Sequence, residues 1–225
     1  MPELTARGHR AVAPDLPGLG ADPTPLAEVT LAGNVEAVAR MVAAEARPVV
    51  LVGHSMGGVT IASVAERMPE RIALLVFLAA FMPRNGESVL SLSRLPGMRR
   101  ESGPPAFART PDGLGFMPVL ERARATFYSR SSDKDVAYAI RRLRPQAYSV
   151  QRSPVALTDA RYGSVGRVFF ECLEDNTVPL GLQRAMVERS PCPVVSLPTD
   201  HSPFFSAPAP LADELVKAAA QAPKR

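Results

Sequence analysis

The chain has 225 residues, of which 46% are apolar and 21% charged, a composition that fits one folded domain and excludes disorder throughout. Its net charge of +4 is unevenly spread: residues 84–155 hold 13 Lys and Arg against 6 Asp and Glu. Those arginines alternate with Leu, Ala and Tyr at helical spacing, which reads as a solvated helix face and not as a nucleic-acid surface. The longest apolar run, Ile72 to Met82, has eleven residues, about half of the roughly 20 needed to cross a bilayer. The opening MPELTARGHRAVAPDL shows no secretory signal, so a cytoplasmic chain is expected. Two cysteines, Cys172 and Cys192, without CxxC spacing and with three scattered histidines, fit a reducing compartment and argue against a metal site.

In chain order, the first strand expected is Arg10 to Ala13. An amphipathic helix follows, with Thr30 as its N-cap and Leu31, Val35, Val38 and Val42 on one face. Strands are expected at Val49 to Val52 and Ile72 to Leu78, with a helix from Gly58 to Met68 between them. Residues 84–158 break this rhythm. They begin with the proline and glycine punctuation of RLPGMRRESGPPAFARTPDGLG and turn helical through VLERARATFY and DKDVAYAIRRL, as an insertion covering a site would. Beyond it, strands are expected at Val168 to Cys172 and Val194 to Leu197. Pro179 is placed at the first position of a helix running to about Arg189, and Ser206 or Pro208 opens the last helix. Strands alternating with helices predict an α/β fold with a mostly parallel sheet. Residues 1–83 and 159–225 make the core, and 84–158 a helical cap.

The stretch LVGHSMGGV sets Ser55 in a G-x-S-x-G pattern. The pattern alone recurs by chance, but here it follows the apolar run VVLV and leads into a helix, the setting in which a sharp turn exposes a serine hydroxyl above a sheet. Gly53 and Gly57 are expected to let neighbouring backbone approach that turn. A serine needs a base and a group to orient the base. His54 directly precedes the serine and should point elsewhere, and His9 lies ahead of the first strand. His201, in TDHSPFF after the last strand, is the base expected. VFFECLEDNTVP offers Glu171, Glu174 and Asp175 as the orienting acid; Asp175, at the strand end, is preferred, with Glu174 as the fallback. The order Ser55, Asp175, His201 is that of an α/β-hydrolase.

Together GHRAVAPDLPGLGAD, VVLVGHSMGGV, LLVFLAAFMPRNGES, FYSRSSDKDVAYAIRRLRPQ and TDHSPFF resemble the α/β-hydrolases of the methylesterase and hydroxynitrile lyase group, in a bacterial-type branch. The resemblance runs almost end to end. It implies an α/β-hydrolase fold, a small ester bound beneath the cap, Ser55 as nucleophile, His201 as proton carrier, Asp175 holding His201, and the Met56 N–H donating to the oxyanion. Phe81, Phe127, Tyr128 and Phe204 are candidate pocket walls. Lyases of this group are expected to carry a lysine after the histidine, where this chain has Ser202, which favours hydrolysis.

The resemblance also implies an apolar strand and a His-Gly oxyanion loop before PELTARGH, so the sequence reads as N-terminally truncated relative to the family. The strand would lie between Arg10 to Ala13 and Val49 to Val52. A wrongly assigned start codon is the explanation favoured, beside direct pairing of those two strands or a partner chain. The function expected is a serine hydrolase cleaving a small carboxylic ester through an acyl-enzyme, with no cofactor. The alternatives are a weak or inactive ligand-binding relative lacking the oxyanion loop and, third, a hydroxynitrile lyase. The expected partner is a small-molecule ester, with neither nucleic acid nor membrane, and a homo-oligomer is left open.

Overall fold

The computed structural model of the chain describes residues 1–98 and 105–222; the rest of the proline-rich punctuation, 99–104, lies outside them. The core elements in chain order are α1 (Pro2–Ala6), α2 (Leu31–Ala43), β1 (Val49–His54), α3 (Gly57–Arg67) and β2 (Ile72–Leu78). The inserted segment supplies α4 (Val89–Leu92), β3 (Phe107–Arg109), β4 (Gly115–Pro118), α5 (Leu120–Phe127), α6 (Asp133–Ile140), β5 (Gln146–Ala147) and α7 (Tyr148–Arg152). The core resumes with β6 (Arg167–Cys172), α8 (Leu180–Arg189), β7 (Val194–Leu197), α9 (Pro203–Ser206) and α10 (Pro208–Ala220).

The main sheet runs β1-β2-β6-β7, every neighbour parallel. Parallel pairing needs crossovers that cover both faces, so its central strands read as continuous apolar runs. The sequence IALLVFL of β2 is such a run, buried at six of its seven positions. Alternate residues then divide between two cores. Leu75, Phe77 and Phe169 pack with Val38 and Val42 of α2, Ile61 and Val64 of α3, and Leu182 and Met186 of α8. Leu74, Val76, Val168 and Phe170 face the other way, with Leu211 and Leu215 of α10. The cap of α2 forms as expected, the Thr30 hydroxyl accepting from Gly33 N at 3.0 Å.

Three expectations are corrected. Arg10 to Ala13 forms no strand: the segment pairs with nothing in the sheet, and its Val12 is 49% exposed. A strand exists only by its ladder, so the direct pairing with β1 that would close the sheet does not occur; Arg10 instead reaches Glu45 at 2.6 Å. Among the described residues β1 is therefore an edge strand. Pro179 is the N-cap of α8 and not its first residue. Finally, the insertion is not purely helical: β3, β4 and β5 form a three-stranded antiparallel sheet. These strands of two to four residues sit among prolines and glycines and are too short to show alternation in sequence.

Candidate active site

Strand β1 ends at His54 and α3 begins at Gly57, so Ser55 must turn the chain within two residues. It does so at φ 53°, left-handed backbone that a residue with a Cβ adopts only when its surroundings hold it. The surroundings are the end of β2: Ser55 N–H donates to Leu78 O at 3.3 Å, and Ser55 O accepts from Phe81 N at 3.0 Å. Those contacts bring two backbones together, which is why glycine is required nearby. A Cβ on Gly58 would lie 2.1 Å from Phe81 O, and one on Gly53 would lie 2.9 Å from Gly57 O. Gly57 is different from the expectation, since a Cβ there would meet nothing within 4 Å. The close approach is made at Gly58.

At the same carboxyl end of the sheet, the loops after β6 and β7 meet. His201 Nδ1 donates to Asp175 Oδ2 at 2.7 Å, and both side chains are almost fully buried. The other oxygen, Asp175 Oδ1, accepts from Thr177 N at 2.7 Å and Val178 N at 2.8 Å. The turn contacts and the bond to His201 thus belong to one carboxylate, each with its own oxygen. The fallback residue is elsewhere: Glu174 pairs with Arg130. Glu171 is committed to Arg184 at 3.0 Å and to the Ser196 hydroxyl at 2.8 Å. With its Nδ1–H donated in the hydrogen bond to Asp175, the other ring nitrogen, Nε2, is the one that can accept a proton.

His54 does not point into solvent. Its Nε2 lies 2.7 Å from the backbone carbonyl of His201, an acceptor only, so that nitrogen carries the proton and donates. Its ring stands 4.4 Å from the His201 ring and meets Phe204 edge-on at 5.1 Å. Burial foremost, then the repulsion of a charged His201, pushes the His54 imidazole down to about 3, against a smaller opposing effect of the bond to the carbonyl. The unfolded chain therefore takes up a proton near pH 6.5 that the folded chain refuses until about 3. Between those values, the stability contributed by neutral His54 is lost as pH falls, by up to about 1.4 kcal/mol per pH unit. Urea unfolding of wild type and His54→Gln across this window should show the wild type losing stability more steeply. Parallel pH dependences would contradict this.

The four aromatic residues named from sequence separate. Phe127, at the end of α5, has its ring 5.8 Å from His201, and Phe204 backs His54. Tyr128 packs with Ala123 of α5 and Val136 and Ala139 of α6 and against Phe205, and Phe81 belongs to the central core beneath the turn. Asp200 was missed. Its buried carboxylate accepts from Arg130 N at 2.8 Å, Ser202 N at 3.1 Å and the Ser206 hydroxyl at 2.8 Å. Together with Asn176 Nδ2 to Ala125 O at 2.9 Å and Thr177 Oγ1 to Thr126 O at 2.8 Å, it sews the end of α5 to both loops of the site. Its place beside His201 was visible in sequence, but its donor Arg130 N lies 70 residues upstream.

Burial foremost pushes the Cys172 thiol up to about 12, so it is no nucleophile near neutrality. Among the described residues no group of three His, Cys, Asp or Glu could hold a metal ion, and no helix is long and apolar enough to cross a membrane.

A serine held on a left-handed strand-to-helix turn, with a buried histidine–carboxylate pair carried by loops that follow later strands of the same parallel sheet, is the order of elements found in an α/β-hydrolase. The chain belongs to the alpha/beta hydrolase family, a family of enzymes, whose profile matches residues 1–214. It is 33% identical over 234 residues to methylesterase 1 of Arabidopsis thaliana, covering 97% of this chain and 88% of that protein. It is 31% identical over 224 residues to a pyrethroid hydrolase of Sphingobium wenxiniae, covering 96% and 79%. The chain spans only 47% of one longer Arabidopsis relative, to which it is 34% identical over 183 residues. Among solved structures, a pyrethroid hydrolase from Sphingobium faniae superposes with a TM-score of 0.84 at 28% identity, covering 98% of this chain and 90% of that one.

Proposed function

We propose that this chain hydrolyses a small carboxylic ester by way of an acyl-enzyme on Ser55. The observation that carries the reading is the buried 2.7 Å bond between His201 and Asp175 at the sheet end where Ser55 is held at φ 53°. In the first half-reaction His201 Nε2 takes the Ser55 proton as Oγ bonds to the ester carbonyl carbon. The carbonyl electron pair moves to oxygen and is met by the Met56 N–H at the start of α3, where the helix dipole favours negative charge. The carbonyl then re-forms, the ester C–O bond breaks, and His201 returns the proton to the departing alkoxide. In the second half-reaction His201 takes a proton from a water whose oxygen bonds to the acyl carbon; the bond from that carbon to Ser55 Oγ then breaks, His201 returns the proton to Oγ, and the carboxylic acid leaves. The named activities of the methylesterase and pyrethroid hydrolase relatives support an ester as substrate.

A lyase reading draws nothing from the residue after the base. Ser202 is buried, its N–H donates to Asp200, and its carbonyl accepts from Phe205 N at 2.9 Å, so it is part of a helix start. The test is hydrolysis of a short-chain aryl ester by wild type beside Ser55→Ala. Hydrolysis abolished in the variant is expected, and equal rates would reject Ser55 as nucleophile.

A further inference from the structure

Resting on that reading of the site, we propose that His54 is a positioning residue. Its Nε2–H holds the backbone carbonyl of His201, so that the turn bearing the nucleophile and the loop bearing the base move as one body. The argument begins with what Asp175 leaves undone. A bond at Nδ1 sets the tautomer and tilt of the His201 ring, but it grips only the ring. The backbone of residue 201 lies in a loop between β7 and α9, and a loop displaced by about 1 Å can cost about 10²-fold in rate. The carbonyl of His201 is the second point of attachment, and what holds it is the side chain of His54, 2.7 Å away. His54 closes β1 and is bonded covalently to Ser55, so this contact ties the base to the nucleophile's own strand.

The chemistry of the pair fits this task. A carbonyl can only accept and a neutral imidazole donates from one nitrogen, so the bond has a single polarity and a single tautomer. The carbonyl belongs to His201, which is almost wholly enclosed, where an orphaned carbonyl is costly and a satisfied one is rigid. The ring contacts of His54 with His201 and Phe204 offer a competing account, in which the side chain serves only by filling space. The two accounts differ in which substitutions they tolerate. Glutamine places an amide N–H where Nε2 was, without a ring. Phenylalanine keeps a ring without a donor. Asparagine keeps a polar amide but reaches only to the position of Nδ1.

The experiment measures kcat and KM for a short-chain aryl ester, and the rate of phosphonylation by a fluorophosphonate, in wild type, His54→Gln, His54→Phe, His54→Asn and Ser55→Ala. Thermal unfolding of each is followed in parallel. His54→Gln is expected to keep kcat within about 5-fold of wild type. His54→Phe and His54→Asn are expected to lose about 10- to 100-fold in kcat and in phosphonylation rate while KM stays within about 3-fold. If His54→Phe does not fold, His54→Asn carries the comparison with His54→Gln. Wild-type kcat in His54→Phe or His54→Asn, or losses in His54→Gln as large as theirs, would overturn the proposal. Ser55→Ala separates this from the reading beneath it. An active Ser55→Ala sinks the reading of the site, whereas an inactive Ser55→Ala beside fully active donor-less variants sinks the role of His54 alone.

Discussion

Asp175→Asn should lower kcat for ester hydrolysis by about 10⁴-fold with little change in KM or stability, the loss expected when a triad carboxylate becomes an amide. Its direction follows from the two oxygens. Oδ1 serves the N–H groups of Thr177 and Val178, while Oδ2 serves His201. In the asparagine variant the backbone donors still require an oxygen, so the carbonyl stays with them and the NH2 group is turned toward His201. An amide N–H at that place can only donate, and Nδ1 must become the acceptor. The ring proton then moves to Nε2, the nitrogen proposed to take the Ser55 proton, which is left with no lone pair. The turn is preserved, so the fold should be too. A kcat within 10-fold of wild type would remove Asp175 from the mechanism.

Gly58→Ala should destabilise the protein by about 3 kcal/mol or more, since the new methyl would overlap backbone and not a side chain that can swing away. The Cβ would be 2.1 Å from Phe81 O, whose own N–H is bonded to Ser55 O. Relief therefore means pulling the serine turn off the end of β2, and activity should fall with stability. Gly57→Ala, one residue earlier in the same motif, is the control. Its Cβ enters open space, and the change should stay within about 1 kcal/mol of wild type, the size of a helix-propensity difference. Urea unfolding of the two variants decides this, and equal stabilities would contradict the packing account.

What could be read from the sequence and what could not divide along physical lines. Ile72 to Leu78 was legible because a parallel strand covered on both faces leaves an unbroken apolar run. Thr30 was legible because capping is local. Arg10 to Ala13 has the composition of a strand, yet strand formation depends on a neighbour's ladder, which composition does not carry. The pairing of Asp175 with His201 was legible in outline because the order of acid and histidine follows the order of strand ends. That Asp175 and not Glu174 faces His201 depends on the course of a single turn. The roles of His54 and Asp200 are contacts across 147 and up to 70 residues, beyond the reach of local spacing. The close approach at Gly58 was not legible for a similar reason: the carbonyl that forbids a side chain belongs to Phe81, beyond the end of another strand.

The most direct test of the catalytic account is to treat the folded protein with a labelled fluorophosphonate and locate the adduct by peptide mass spectrometry. One adduct per chain on the peptide containing Ser55, lost in Ser55→Ala and formed far more slowly in His201→Ala, is the result predicted. A folded protein that hydrolyses esters yet carries no adduct at Ser55 would contradict it.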